Sequence, residues 1–412
     1  MPDRVPLNEL CEAIVDCPHS TPTWTDVGPI VLRNQNIRDG RLDLSDASHT
    51  DERHFLDRTR RAIPRAGDLV ITREAPMGEV CMIPPALRCC LGQRMVLLRP
   101  NPGRAESRYL LYALQSNRVQ HEILVNEGTG STVSNLRIPL LETLPIPWYP
   151  LPEQKTIGRI LGALDDKIEL NRRMNETLEG IARAIFKSWF VDFDPVRAKA
   201  EGRESGMPNA TVSLFPNKFV NSKAGNIPDG WTLRKLGEVA DVNWGDTAVT
   251  KASYCQEGWK AYSASGSDGL LPYYDYDHTG VVLSAIGANA GVSWLACGKW
   301  SCIKNTIRFW ATDDGVSTEY LFFLTFGKER WPVRGSAQPF IAQGDARTIE
   351  VLVPGNNLAL IFGSSIKPLI ERANLNDEEN NTLSTLRDTL LPRLISGQLR
   401  IKDAEKLVEK AL

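Results

Sequence analysis

Apolar side chains recur at alternating four- and three-residue steps in two stretches of the chain, the mark of a helix that buries one seam. The first stretch carries Ile157, Leu161, Leu164, Ile168, Asn171, Asn175, Leu178, Ala182, Ile185 and Trp189. The second repeats the spacing with Phe362, Ile366, Leu369, Ala373, Asn376, Asn380, Leu383, Arg387, Leu390 and Leu394. Arg387 breaks the apolar pattern, and Leu386 beside it, like Ile181 in the first stretch, points to a seam that drifts there by one residue. Aligned antiparallel at their middles, the helices place Asn171 opposite Asn380, Asn175 opposite Asn376, Leu178 opposite Ala373 and Ala182 opposite Leu369. Arg387 then faces Leu164, with its stem along the leucine and its guanidinium in water. A buried asparagine layer costs stability but sets the register, since a slipped asparagine meets an apolar side chain without a partner. A seam from Ile157 to Trp189 makes a helix on the order of 50 Å long, a ruler able to separate two domains by about one turn of DNA. Heptads also occur in ordinary bundles; the duplicated asparagine pair favours a dedicated coiled coil.

Before each helix the pattern changes to short β-branched or alternating runs separated by Gly, Pro and Asn, which predicts mixed α/β domains on strongly bent sheets. The runs also repeat in order. Leu7-Asn-Glu-Leu10-Cys-Glu12 parallels Leu233-Arg-Lys-Leu236-Gly-Glu238, and Gly67 to Thr72 parallels Thr279 to Ser284. Cys90-x-x-Gln93 parallels Cys302-x-x-Asn305, Tyr109-Leu-Leu parallels Tyr320-Leu-Phe, Gly130-Ser131 parallels Gly335-Ser336, and Leu-Pro-Ile-Pro147 parallels Val-Leu-Val-Pro354. The fold class expected is α+β: two mixed α/β domains in a pseudo-twofold arrangement, joined by two long antiparallel coiled-coil helices. The domains run over 1–150 and 231–355, and the helices over 151–192 and 356–398. Residues 193–230 lack an apolar period and read as an exposed linker that lets the second domain begin in the opposite orientation; 399–412 is a charged tail that either docks on the first domain or frays. The start of the second helix is open, because Pro368 favours a kink or a first turn.

Composition narrows the function classes. A chain of 412 residues with ordinary apolar content is a globular protein of two or three domains. Eight cysteines without a C-x-x-C pair suit core filling in a reduced cytoplasm, and the opening MPDRVPLNEL is too polar for a signal peptide. Val281 to Gly298 carries no charge, but its Ser, Gly and Asn break it into two β-type runs around a turn rather than a membrane span. The net charge of −2 argues against nucleic-acid binding by the chain alone.

Several longer segments carry a specific resemblance. These are Pro145-Ile-Pro-Trp-Tyr-Pro-Leu-Pro-Glu-Gln-Lys155, Leu170-Asn-Arg-Arg-Met-Asn175-Glu-Thr-Leu178, Phe186-Lys-Ser-Trp-Phe-Val-Asp-Phe-Asp194, Ile227-Pro-Asp-Gly-Trp231 and Leu391-Pro-Arg-Leu-Ile-Ser-Gly-Gln-Leu399. Over nearly its whole length the chain resembles the specificity subunits of type I restriction-modification enzymes. The second half departs at Gly355-Asn-Asn-Leu358, where Leu-Pro-Glu-Gln has no counterpart. The resemblance implies target-recognition domains that read a two-part asymmetric site in double-stranded DNA. It implies a subunit without an active site or cofactor, working in the cytoplasm with two methyltransferase subunits and, through them, restriction subunits. The sequence agrees in lacking an Asn-Pro-Pro-Tyr motif, a phosphate-binding G-x-x-x-x-G-K-[ST] loop and a dinucleotide fingerprint. Asp165-Asp166-Lys167 reads as a solvated helix face, and His19, His49, His54, His121 and His278 show no metal-ligand spacing.

Base edges call for Arg, Asn and Gln, and phosphates for Ser, Thr and Lys. Candidates in the first domain are Arg33, Asn34, Gln35, Asn36, Arg73, Gln93, Arg94, Ser131, Thr132, Ser134 and Asn135. In the second they are Lys251, Ser263, Ser265, Asn289, Lys304, Asn305, Ser336 and Gln338. Each alone is more often a turn or capping residue, and the case for base contact rests on the group. The aromatic cluster Phe186, Trp189, Phe190 and Phe193 exceeds what one seam covers and is either a partner-docking surface or packing at the base of a domain. The competing function class is a non-catalytic repeat scaffold with an assembly coiled coil.

Overall fold

Short apolar runs without alternation form strands when both faces of their sheet are covered. The computed structural model, which describes residues 2–125 and 135–412, has such a sheet in each of two compact units: Met1–Arg173 with Asn376–Leu412, and Met174–Leu375. In the first unit β1 (Cys11–Asp16), β2 (Leu69–Thr72), β3 (Val80–Met82) and β4 (Met95–Pro100) form an antiparallel sheet in the order β1-β4-β2-β3. Leu69, Ile71, Val96 and Leu98 face the main core, while Val70, Met95 and Leu97 face a second cluster. In the second unit β5 (Ala240–Trp244), β6 (Gly280–Ser284), β7 (Ser293–Ala296) and β8 (Thr306–Ala311) take the same order, β5-β8-β6-β7. Val281, Leu283, Ile307 and Phe309 face its main core, and Val282 faces a cluster with Trp300. Val281 to Gly298 is thus largely β6, a turn and β7, and among the described residues no helix is long and apolar enough to cross a membrane.

The duplication extends to single hydrogen bonds. Each unit has one parallel strand pair, Trp24–Leu32 with Cys89–Leu91 and Trp259–Ser263 with Lys299–Cys302. The Tyr109 hydroxyl donates to the Pro147 carbonyl at 2.8 Å, and the Tyr320 hydroxyl to the Leu352 carbonyl at 2.6 Å. Leu7 N donates to Leu144 O at 3.0 Å, and Leu236 N to Ile349 O at 2.9 Å. These bonds correct the register of three sequence matches. Leu7 corresponds to Leu236 rather than Leu233, Leu91 rather than Cys90 to Cys302, and Pro147 to Leu352 rather than Pro354. The first slip arises because Leu-x-x-Leu repeats itself after three residues, so the pattern fits equally well in two registers.

Helices α1 (Leu151–Phe190) and α2 (Leu358–Ile395) carry the two seams. Within the first unit they run antiparallel: Asn171 Nδ2 donates to Asn380 Oδ1 at 3.1 Å and to Glu379 Oε2 at 2.7 Å. In the second unit Asn175 Nδ2 donates to the Ala373 carbonyl at 3.2 Å. The seam does not drift in α1, because Ile181 is 44% exposed and Ala182 is 2% exposed. Arg387 keeps 17% of its side chain exposed but turns its guanidinium to carboxylates, donating to Asp165 Oδ1 at 2.7 Å and to the exposed Asp388 at 2.9 Å. Asp165 also accepts from the Tyr112 hydroxyl, Asp166 takes two bonds from Arg108 at 2.7 and 2.9 Å, and Lys167 pairs with Glu379. Asp165-Asp166-Lys167 is therefore a line of ion pairs on a partly solvated face, where the Asp166 side chain is 63% exposed. α2 continues through Pro368, whose ring points to solvent beside the equally exposed Ser364, so water can serve the carbonyl that loses its N–H donor.

Two further expectations change. Residues 193–230 are not an exposed linker: they form helices Asp194–Ala200 and Asn209–Leu214 and a hairpin of Phe219–Ser222 with Gly225–Pro228, and they bury Val196 and Phe215. Their apolar residues plug gaps singly and so show no period. Phe186, Trp189 and Phe190 are buried in the second unit, against Tyr320, Phe323, Phe362 and Phe215, and Phe193 packs on Trp231 and Phe219. The aromatic excess therefore covers the base of a domain and is no docking surface. The tail forms helix Ile401–Glu409, which docks through Ala404 and Val408 on the first unit's core, and Glu405 pairs with Arg159. The cysteines are unpaired, and burial pushes Cys89 and Cys302 up to about 12, as suits core thiols.

Candidate nucleic-acid interface

Strands that end together leave their loops on one edge of a sheet, where side chains from distant parts of the chain meet. In the first unit, the loops after β2 and before β4, the turn at residues 33–36 and Asn135 meet this way. They gather around Glu74, which the sequence reading did not select. Arg94 Nε lies 3.1 Å from Glu74 Oε2, Asn135 Nδ2 donates to Glu74 Oε1 at 2.9 Å, and Asn34 Nδ2 donates to the Glu74 carbonyl. The Arg94 side chain is 55% exposed and that of Glu74 is 21% exposed, so the guanidinium is presented on a carboxylate support.

Neighbouring candidates have local duties. Arg73 donates to Leu136 O at 3.0 Å, Asp16 Oδ1 at 2.9 Å and Asn135 Oδ1 at 3.2 Å, and its side chain is 12% exposed. Asn36 is buried and closes its own turn, accepting from Arg33 N and donating to Asp43 O, both at 2.9 Å. Gln35 donates to Asp46 Oδ2 at 3.0 Å, Gln93 to His19 O at 2.6 Å, and the Arg33 guanidinium lies over the Trp24 ring. Ser131, Thr132 and Ser134 lie outside the described residues.

In the second unit Lys251, Ser263 and Ser265 converge on Asp268, another acid that the sequence did not flag. Lys251 Nζ lies 2.5 Å from Asp268 Oδ2; the Ser263 and Tyr254 hydroxyls donate to Asp268 at 2.7 Å each; and Ser265 N donates to Ser263 Oγ at 3.0 Å. Burial pushes the Asp268 carboxyl upward, but hydrogen bonds from Lys251, Ser263 and Tyr254 outweigh it and hold the group below the usual carboxylate range. Asn289 Nδ2 donates to the Ala264 carbonyl at 3.2 Å. Lys304 is exposed, and Asn305 has a positive φ of 74°. Ser336 and Gln338 are exposed on a loop closed by mutual backbone bonds of 2.8 Å between Arg334 and Phe340. Phe340, 39% exposed on that polar loop, was also missed, although an aromatic residue among Gly, Ser and Gln was a readable signal. Among the described residues no group of three or more His, Cys, Asp or Glu side chains is placed to hold a metal ion.

The set of groups on these loops is one of hydrogen bonding and charge, mounted on the same scaffold twice. Comparisons with known proteins agree. Residues 29–180 match the family of the type I restriction modification DNA specificity domain. The chain is 26% identical over 370 residues to the type I restriction enzyme MjaIX specificity subunit of Methanocaldococcus jannaschii, covering 83% of this chain and 80% of that one. It is also 26% identical over 373 residues to the HindI specificity subunit of Haemophilus influenzae, covering 74% and 80%. The fold is similar to the crystal structure of a type I restriction-modification S subunit from M. genitalium, with a TM-score of 0.56, 17% identity and 95% of each chain covered. Residues 29–180 thus match a DNA specificity domain of type I restriction-modification systems, and over most of its length the chain is similar to specificity subunits of such systems.

Proposed function

We infer that this chain reads a two-part DNA site and directs the chemistry of its partners without performing any. One half-site falls to the recognition domain at 1–150 and the other to that at 231–355, while α1 and α2 provide the coiled-coil spacer. The partners are two methyltransferase subunits in the cytoplasm, with restriction subunits joining through them. The observation that carries this reading is the duplicated scaffold whose equivalent loop positions bear different side chains. A scaffold binding two copies of one partner gains nothing from that difference, whereas a reader of two unlike half-sites requires it.

The test is co-expression of the full-length chain with its host's methyltransferase subunit, in cells lacking other methyltransferases, followed by genome-wide mapping of methylated adenine. A two-part motif with an unread spacer is expected. A stable complex that leaves no sequence-specific methylation favours the repeat scaffold instead.

A further inference from the structure

Three bonds place the recognition loops of the two units in residue-by-residue correspondence. Arg73 N donates to Arg94 O at 2.8 Å and Leu136 N to Arg73 O at 3.0 Å; in the second unit Ala285 N donates to Asn305 O at 3.0 Å and Ile341 N to Ala285 O at 2.8 Å. Arg94 and Asn305, each immediately before the last sheet strand, both have positive φ, 68° and 74°. Gly78 N returns to Thr72 O at 2.9 Å as Gly291 N returns to Ser284 O at 3.0 Å. On this shared frame Glu74 corresponds to Ile286, Arg94 to Asn305, and Asn135 to Phe340.

The chemistry at the three positions is opposite in kind. In the first unit all three are polar and joined through the Glu74 carboxylate, with the Arg94 guanidinium half-exposed above it. In the second, Ile286 and Phe340 are paired across a backbone bridge, and Asn305 is the polar member. In the major groove, a guanidinium matches O6 and N7 of guanine and a carboxylate accepts from N4 of cytosine, so Arg and Glu together fit both edges of a G·C pair. An asparagine amide matches N6 and N7 of adenine and an apolar side chain meets the thymine methyl, so Asn with Ile and Phe fits A·T. Each set also rejects the other pair. A carboxylate facing the thymine O4 sets acceptor against acceptor, and Ile against cytosine leaves the N4 donor unpaired.

We propose that these positions determine base specificity: Glu74 and Arg94 take a G·C pair in the half-site of the first unit, and Ile286, Asn305 and Phe340 take an A·T pair in that of the second. This rests on the reading given under Proposed function and deepens it. The test is the methylation map of the full-length chain with its methyltransferase, for wild type, Glu74→Gln and the double variant Ile286→Glu with Asn305→Arg. Glu74→Gln is expected to relax one G·C position in one half-site, on the order of tenfold in discrimination, with the other half-site unchanged. The double variant is expected to convert one A·T position of the other half-site to G·C; Arg94 itself shows that arginine tolerates the positive φ at that place. A thermal melt of each purified variant that matches wild type reports that it is folded. The same motif from wild type and Glu74→Gln overturns the assignment, whatever the double variant does. No two-part motif from wild type is a different outcome, the failure of the DNA-reading function itself.

Discussion

An arginine whose three side-chain nitrogens each hold a bond inside its own protein cannot turn its guanidinium to a base without breaking those bonds first. Arg73 is in that position, held by Asp16, Asn135 and the Leu136 carbonyl, whereas Arg94 spends Nε on Glu74 and stays half-exposed. Arg73→Ala is therefore expected to lower stability by about 1–3 kcal/mol, the scale for leaving part-buried polar groups without their hydrogen-bond partner. Arg94→Ala is expected to leave stability within about 0.5 kcal/mol, as for a surface change, and to weaken DNA recognition. Thermal melting beside DNA binding of both variants checks this; equal losses of stability would show that Arg94 too is a structural residue. Asp268 carries a pH dependence. Its folded pKa lies below its ordinary value of 3.8, so its contribution is complete above that value and fades as pH falls through the lowered one. Asp268→Asn should thus be destabilising at pH 7 and converge on wild type in denaturant melts toward pH 3. A gap that stays constant with pH would mean that the carboxylate's charge contributes nothing.

At the scale of elements, the two long helices owe their close packing to glycines that ordinary helix propensity disfavours. A Cβ on Gly158 would stand 2.5 Å from Glu106 Oε2, and one on Gly363 would stand 2.5 Å from Ser317 Oγ. Glu106 and Ser317 are the N-caps that accept from Tyr109 N and Tyr320 N, at 2.7 and 3.1 Å. Alanine in place of a helical glycine usually stabilises by about 1 kcal/mol. Here Gly158→Ala and Gly363→Ala are each expected to destabilise, by about 1–3 kcal/mol, because the cap must move; a raised melting temperature would refute the close approach. The buried bond between Asn171 and Asn380 makes a second case. Asn171→Leu alone strands Asn380 and should cost more than the change of both residues to Leu, a coupling of about 0.5–3 kcal/mol readable in a double-mutant cycle. These helices were the most legible part of the sequence, since one buried seam imposes one period and the asparagine repeat paired Asn171 with Asn380. The loops were legible only as lists of polar residues. Arg94 could be named but its support could not, because Glu74 meets it through strand pairing between distant segments, and Asn36 or Arg73 look no different in sequence from a residue that reads DNA. The segment 193–230 was misread for a related reason, as single apolar anchors such as Phe215 leave no periodic trace.

For the whole molecule the net charge is −2, and at the candidate loops Arg94 is paired with Glu74 and Lys251 with Asp268, which lowers the positive charge these loops offer to phosphate. Binding by the chain itself should therefore depend only shallowly on salt, with the steeper dependence of a phosphate-clamping complex appearing once a methyltransferase subunit is bound. The duplication makes a sharper demand. If each recognition domain is a self-contained reader, exchanging 1–150 for the same segment of another specificity subunit must alter one half of the motif and leave the other intact. The junction suits such an exchange: it falls after strand Pro145–Trp148, which pairs with Asp3–Pro6 inside the transferred segment, and before α1 begins at Leu151. Some bonds do cross it. Gln154 is fully buried, accepts from Glu106 N at 2.9 Å and donates to Arg104 O at 2.9 Å and Tyr149 O at 2.7 Å, and the Tyr149 hydroxyl donates to Leu394 O at 3.2 Å. A donor segment with a tyrosine at the position of Tyr149 and a helix N-cap that meets Gln154 keeps those bonds, whereas one lacking them is expected to lose stability and still read its half-site when it folds. A chimera that melts like wild type but shifts both halves of its motif, or neither, would show that the halves do not read independently.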